Sequence, residues 1–145
     1  MSDHTSSAVT ISAPPADILG VIADFASYPD WADGIKAADV VEHGADGRPA
    51  RVRFTIDAGL VKDTYTLGYS WDGLGVRWEL VEAGSALSAM TGSYTLAEQS
   101  PSATDVTYEL SIALRVPVPG IMRRRGERQI VDTALKGLRR RVERG

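Results

Sequence analysis

The side chains of this sequence that could do chemistry are phenols, indoles and one carboxylate set among arginines. Tyr65, Tyr69, Tyr94, Tyr108 and Trp78 occupy alternating positions of segments with strand periodicity. A phenol on a covered face can give a hydrogen bond or a proton to an oxygen of a bound molecule, while its ring supplies apolar contact area. Glu127 is the other candidate. Projected at about 100° per residue, it falls at the centre of the apolar stripe of a C-terminal helix. Arg124 lies three residues before it and Arg123 four, spacings that bring side chains within reach on a helix. A carboxylate on a covered face must be paired or change its protonation. An Arg124–Glu127 pair there would hold a polar ligand end or assist proton transfer. The alternative is that the first turns of the helix project into water and the pair is solvated.

Other chemistries have little support. The chain has no cysteine, which removes disulfides, thiolate zinc sites and cysteine nucleophiles. Its two histidines, His4 near the start and His43 at a turn, are expected in solvent and do not make a metal-ligand cluster. There is no G-x-S-x-G elbow, no dinucleotide-binding glycine motif and no P-loop. Gly73-Leu74-Gly75 reads as a turn. Arg51, Arg53 and Arg77 have the parity opposite to the apolar positions, so they are assigned to an outer, wet sheet face. Neither a metal nor a cofactor is expected.

The elements that must position these residues follow from periodicity. Residues 1–7 are polar and expected to fray. Residues 8–12 alternate as a strand, which Ala13-Pro14-Pro15 stops. Pro15 opens a helix whose face is Ile18, Leu19, Ile22 and Phe25, and Tyr28-Pro29 ends it. Residues 29–34 make a turn or a single helical turn, and Trp31 within them either caps a pocket entrance or plugs the helix–sheet core. Six strands follow, over 35–42, 50–57, 62–71, 76–81, 88–97 and 105–116. Turns such as Asp46-Gly47 and Asp72-Gly73 separate them, with a loop over 99–104. Pro117 and Pro119 close the series. A long helix from Gly120 or Ile121 to about Arg144 carries Ile130, Val131, Ala134, Leu135, Leu138 and Val142 on one stripe. One apolar face per strand means that one side of the sheet is covered. Strands in hairpins with helices at the ends give an α+β architecture.

The 145 residues fit a single domain, 1–145. At 43% hydrophobic and 24% charged residues the chain has the balance of a globular protein. No apolar run reaches membrane-helix length, and the opening MSDHTSSAVT lacks a basic segment followed by an apolar core. A soluble cytoplasmic protein is expected. The net charge of −3 hides a split: residues 1–118 hold 7 basic and 16 acidic side chains, residues 119–145 hold 9 and 3. The basic end reads as a solvated helix face attracted to its own acidic body, with contact to an anionic surface as the lesser alternative. No aromatic residue interleaves its arginines, so nucleic acid is not expected as a partner.

In their order along the chain, Val9 to Pro15 (VTISAPP), Asp24 to Trp31 (DFASYPDW), Gly92 to Leu96 (GSYTL), Thr104 to Leu110 (TDVTYEL) and Val116 to Gly120 (VPVPG) lead into a basic terminal helix. This pattern resembles the helix-grip fold of the START-like superfamily, and within it the bacterial polyketide cyclase/dehydrase and coenzyme-Q-binding type proteins. The resemblance covers essentially the whole chain. It implies a curved antiparallel sheet of about seven strands wrapped around a long C-terminal helix, with two short helices after the first strand. It also implies an internal cavity for a hydrophobic, lipid-, polyketide- or quinone-like molecule. The apolar parity then faces that cavity with Phe54, Ile56, Tyr65, Leu67, Tyr69, Trp78, Met90, Tyr94, Tyr108 and Leu110. Arg124, Glu127, Ile130 and Ala134 face it from the helix. The inward strand set contains no carboxylate, lysine, arginine or histidine. Three functions stay open: a binding protein; a polyketide cyclase/dehydratase acting mainly by positioning its substrate in the same cavity, with Tyr65, Tyr69 or Tyr94 as proton donor and the Arg124–Glu127 pair as auxiliary acid/base; or a protein contacting anionic surfaces through Arg123 to Arg125 and Arg139 to Arg141.

Overall fold

The protein is described by a computed structural model covering residues 4–58 and 61–144. Seven strands form one sheet: β1 (Thr5–Ile11), β2 (Ile35–His43), β3 (Pro49–Ala58), β4 (Val61–Asp72), β5 (Gly75–Glu82), β6 (Leu87–Ser100) and β7 (Ala103–Leu114). Their order across the sheet is β1-β7-β6-β5-β4-β3-β2, and each neighbouring pair is antiparallel. β2 through β7 pair with one another in succession, and among the described residues the long connection between strands runs from one sheet edge, β1, to the other, β2. It holds α1 (Pro15–Ala23), a 3-10 turn (Phe25–Ser27) and α2 (Tyr28–Trp31). The terminal helix α3 (Gly120–Arg144) packs on β1 and β7 and against α1 and α2. The curved sheet, the long terminal helix and the two short helices after the first strand are the helix-grip arrangement.

The register confirms the alternating faces. Val52 opposes Leu67, Phe54 opposes Tyr65, Tyr69 opposes Trp78, and Tyr94 opposes Tyr108. These residues share the inner face because side chains directly across an antiparallel pair point the same way. Arg51, Arg53 and Arg77 are exposed on the other face. The core closes with Ile11, Ile18 and Ile22 on one side and Val131, Leu135 and Leu138 of α3 on the other.

Three boundaries differ from expectation, each for a local reason. Thr5, Ser6 and Ser7 are not frayed; they form the start of β1, with Thr5 paired to Leu110 and its hydroxyl bonded to Glu127. The first helix stops at Ala23 instead of reaching Tyr28, because Asp24 leaves helical geometry and accepts a hydrogen bond from the Ser27 hydroxyl at 2.8 Å. Pro29 then sits inside α2, at a first-turn position where its missing N–H leaves no bond unmade. The expected loop over 99–104 shrinks to a turn at Pro101-Ser102, since β6 and β7 pair out to Ser100 and Ala103.

Candidate functional site

The inner face of the sheet is aromatic to an unusual degree. The two Phe, three Trp and five Tyr of the chain all join one continuous network of ring contacts. Phe25 and Tyr28 enter it from the segment between the sheet edges. Phe25 meets Phe54 edge-on at 6.0 Å between ring centroids and Tyr69 at 5.0 Å. From Tyr69 the network runs to Trp78 at 5.6 Å, and then to Tyr94 at 5.4 Å and Tyr108 at 5.5 Å. Tyr94 and Tyr108 close the triangle at 4.7 Å. Most of these contacts are tilted or edge-to-face, the arrangements ring quadrupoles favour.

One glycine makes this geometry possible. Gly92 on β6 lies directly across from Trp78. A Cβ built there would come within 2.4 Å of the indole. Since Trp78 is already walled by Tyr69, Tyr94 and Tyr108, a methyl group at 92 must push the ring into the interior. Gly92→Ala is therefore expected to destabilise the fold by about 2 kcal/mol and to shift the tryptophan emission, which chemical denaturation followed by fluorescence will read.

The polar ends of this network are distinctive. The Tyr28 hydroxyl donates to the Ile22 carbonyl at 2.6 Å, and the Trp71 indole N–H donates to the Pro49 carbonyl at 2.7 Å. Among the described residues, no hydrogen bond within the protein satisfies the hydroxyls of Tyr65, Tyr69, Tyr94 or Tyr108. Nor are these oxygens sealed off, because the only fully buried side-chain N or O atom without a partner among the described residues is Trp31 Nε1. Burial pushes the Tyr65 phenol up to about 12, with the nearby Asp63 carboxylate adding to the effect. Burial, then the neighbouring phenols, hold Tyr69, Tyr94 and Tyr108 well above the ordinary value of 10.0. These groups stay protonated at neutral pH, so each keeps a proton available for a hydrogen bond.

On the helix side, Glu127 is 0% exposed: it points inward from a stretch of α3 whose residues 120–122, 124–126 and 128–130 are exposed. Its carboxylate accepts hydrogen bonds from the Thr5 hydroxyl and from the Ile112 N–H, both at 2.8 Å. Arg123 reaches the Ile112 carbonyl at 3.3 Å. Ile112 lies two residues beyond the Thr5–Leu110 pair, so Glu127 serves the backbone of β7 where β1 begins. Arg124 is exposed, with its guanidinium beside Gly120. The carboxylate is thus a tie between α3, β1 and β7.

The other candidates fall as follows. Phe54, Leu67, Trp78, Tyr94, Tyr108 and Leu110 are buried, while Ile56, Tyr65, Tyr69, Met90 and Ala134 are half-buried. Ile130 departs from expectation. It is 44% exposed, because the covered face of α3 centres on Glu127, Val131, Leu135 and Leu138, and Ile130 falls on its flank. His4 and His43 are exposed, with His4 3.1 Å from Glu109. Trp31 plugs the helix–sheet junction, its ring and backbone lying against Gly137 of α3. Among the described residues, no group of three His, Asp or Glu side chains is placed to hold a metal ion. Two surface hollows, of about 390 and 510 Å³, lie against β2 and between α1 and the end of α3. Trp31 lines the second hollow, and no strand or α3 residue named for the interior site lines either one.

Asp63 corrects the expectation that the inward strand positions carry no carboxylate. It shares the parity of Tyr65, opposes Ile56, and is buried. Burial alone would raise its pKa. The Ser85, Ala86 and Thr64 N–H groups and the Ser85 hydroxyl outweigh that and hold it below the ordinary value. Its parity with Tyr65 was the available signal. Gly84 is required beside it, since a Cβ there would strike the Asp63 carboxylate.

Comparison with known proteins agrees with this architecture. The START superfamily protein from Mycobacterium smegmatis superposes with a TM-score of 0.92 at 22% identity, over 97% of each chain. The Zhui aromatase/cyclase from Streptomyces sp. R1128 gives 0.81 at 18% identity, over 98% of this chain and 94% of that one. The di-domain aromatase/cyclase BexL gives 0.79 at 17% identity, with this chain spanning 46% of it. At these identities the likeness is one of fold. No curated protein matches the sequence. The family model described as polyketide cyclase / dehydrase and lipid transport matches residues 2–143. With that match over nearly its whole length, and a helix-grip sheet around an aromatic interior, the chain belongs to the polyketide cyclase / dehydrase and lipid transport family.

Proposed function

We propose that the chain binds a neutral, apolar small molecule bearing ketone or quinone oxygens, inside the aromatic interior between the sheet and α3, and that it does so in the cytoplasm. One observation carries this reading: four phenol hydroxyls on one ring network have no hydrogen-bond partner among the described residues. Phenols kept protonated offer hydrogen bonds to a carbonyl oxygen, and the surrounding rings offer apolar contact. Phe54, Leu67, Trp78 and Leu110 supply the walls. The strands bring no cation to this face, which disfavours a carboxylate-headed ligand.

The test is a fluorescence titration with a water-soluble quinone and with N-phenyl-1-naphthylamine, reading quenching of the interior tryptophans. Saturable binding of one molecule per chain is expected. It weakens at least about tenfold in Trp78→Arg, because an unpaired charge in an apolar wall is expensive. Circular dichroism establishes that the variant is folded. Absence of saturable binding by either probe, or unchanged affinity in folded Trp78→Arg, defeats the reading.

A second reading, cyclisation of a polyketide, draws on the same phenols and on the aromatase/cyclase names of two fold relatives. A neutral Tyr65, Tyr69 or Tyr94 hydroxyl can donate to a ketone oxygen as negative charge develops on it. If the chain is a cyclase, one Tyr→Phe change lowers turnover while binding is retained.

A further inference from the structure

The corner where β7 gives way to α3 exposes large apolar residues in a run. Val116 is 66%, Ile121 64% and Met122 58% exposed, and Val118 is exposed between Pro117 and Pro119. The other exposed large apolar residues outside α3, Val41, Leu74 and Val81, sit singly on β2, a hairpin turn and β5. At about 100° per residue, Ile121, Met122 and Arg125 share the face of α3 turned away from Glu127 and Val131. Clustered exposed apolar side chains mark an interaction surface, whereas scattered ones do not.

Charge says which kind. Residues 110–126 contain Arg115, Arg123, Arg124 and Arg125 and no acidic side chain. Arg128 follows, and Glu127 between them is turned inward. Arg115 donates to the Gly84 carbonyl and Arg128 to the Ser6 carbonyl. Bonds to neutral carbonyls fix these guanidinium groups in place without cancelling their charge. Residues 1–109 hold 6 basic and 16 acidic side chains, so this corner is positive against an acidic body, as is the far end of α3 with Lys136, Arg139, Arg140, Arg141 and Arg144.

We propose that the β7–α3 corner docks on an anionic lipid bilayer. Val116, Val118, Ile121 and Met122 enter the headgroup boundary, and the arginines meet the lipid phosphates. Apolar side chains flanked by arginines, at the start of a helix rich in charged residues, are the pattern of interfacial binding. The flexible aliphatic residues offer no ring for a nucleic acid base to stack on. Docking does not require that the interior hold a ligand, so the two proposals fail separately.

Co-sedimentation of the full chain with vesicles tests this. Binding is expected to vesicles of phosphatidylcholine mixed with phosphatidylglycerol, and to fall as salt rises. Pure phosphatidylcholine vesicles should bind far less. Ile121→Ser/Met122→Ser is expected to weaken binding by about tenfold or more, and Arg125→Glu by about fivefold or more. All three residues are exposed, so both variants should melt like the parent. Val41→Ser, on a distant strand, should bind normally. No sedimentation with anionic vesicles overturns the proposal. So does equal binding by the corner variants, or equal binding to neutral vesicles. Capture of a protein partner by this corner without vesicle binding overturns it too.

Discussion

Raising the pH above 10 is expected to unfold this protein over a narrow range, with its tyrosines ionising together. All five phenols are held above their ordinary value by burial. Below pH 10 they are protonated in both folded and unfolded chains and contribute nothing to pH dependence. Above pH 10 the unfolded chain releases its phenolic protons while the folded chain keeps them. Stability therefore falls as pH rises. Each phenol adds about 1.4 kcal/mol per pH unit, so five acting together approach about 7 kcal/mol per unit. A domain with about 5–15 kcal/mol of stability loses it within one to three pH units on that slope. Tyr65 stops contributing near 12, its value in the folded state. Phenolate absorbance and far-ultraviolet circular dichroism recorded on the same samples will check this. The two transitions should coincide. Smooth ionisation near pH 10 in a protein that stays folded would show that the phenols are open to bulk water.

Glu127→Leu is expected to destabilise the fold by about 3 kcal/mol. The change leaves the Ile112 N–H and the Thr5 hydroxyl without their acceptor in a place with no exposure. An abandoned buried donor costs about 1–3 kcal/mol. Glu127→Gln keeps an oxygen for one of the two donors, and the Thr5 hydroxyl can accept from the new amide; about 1 kcal/mol is expected. Denaturant midpoints give the comparison, and hydrogen exchange at the Ile112 amide localises it, since that proton should lose protection in the leucine variant. A leucine variant as stable as the parent would mean that apolar packing replaces the tie, as it can for some buried charged groups.

The sequence carried most of the fold because the signals were periodic. Strict alternation over 50–57, 62–71 and 105–114 can be satisfied only by a strand with one covered face, and the register bears that out. The start of β1 was not legible, since Thr5-Ser6-Ser7 has no apolar pattern. Its strand character comes from Leu110, Tyr108 and Glu127, which lie a hundred residues or more away. The inward parity of Asp63 was legible, but what satisfies its carboxylate was not. Its partners are backbone groups at Ser85 and Ala86, across a turn whose path only the folded sheet defines. On α3 the angular projection placed Glu127, Val131 and Leu138 well, and failed for Ile130 because that residue lies on the flank of the covered stripe. The inward phenols were legible by parity. The absence of a partner for their hydroxyls among the described residues was not, because hydrogen-bond partners are set by tertiary approach.

The most direct measurement is native mass spectrometry of the protein purified from its own host. It is then repeated after incubation with a panel of quinones, aromatic polyketides and neutral lipids. The expected result is a mass excess of one small hydrophobic molecule per chain, released by organic solvent and not retained by folded Trp78→Arg. A chain that carries nothing from its host and retains no member of the panel would contradict a ligand-holding interior, and would leave the aromatic network as core packing alone.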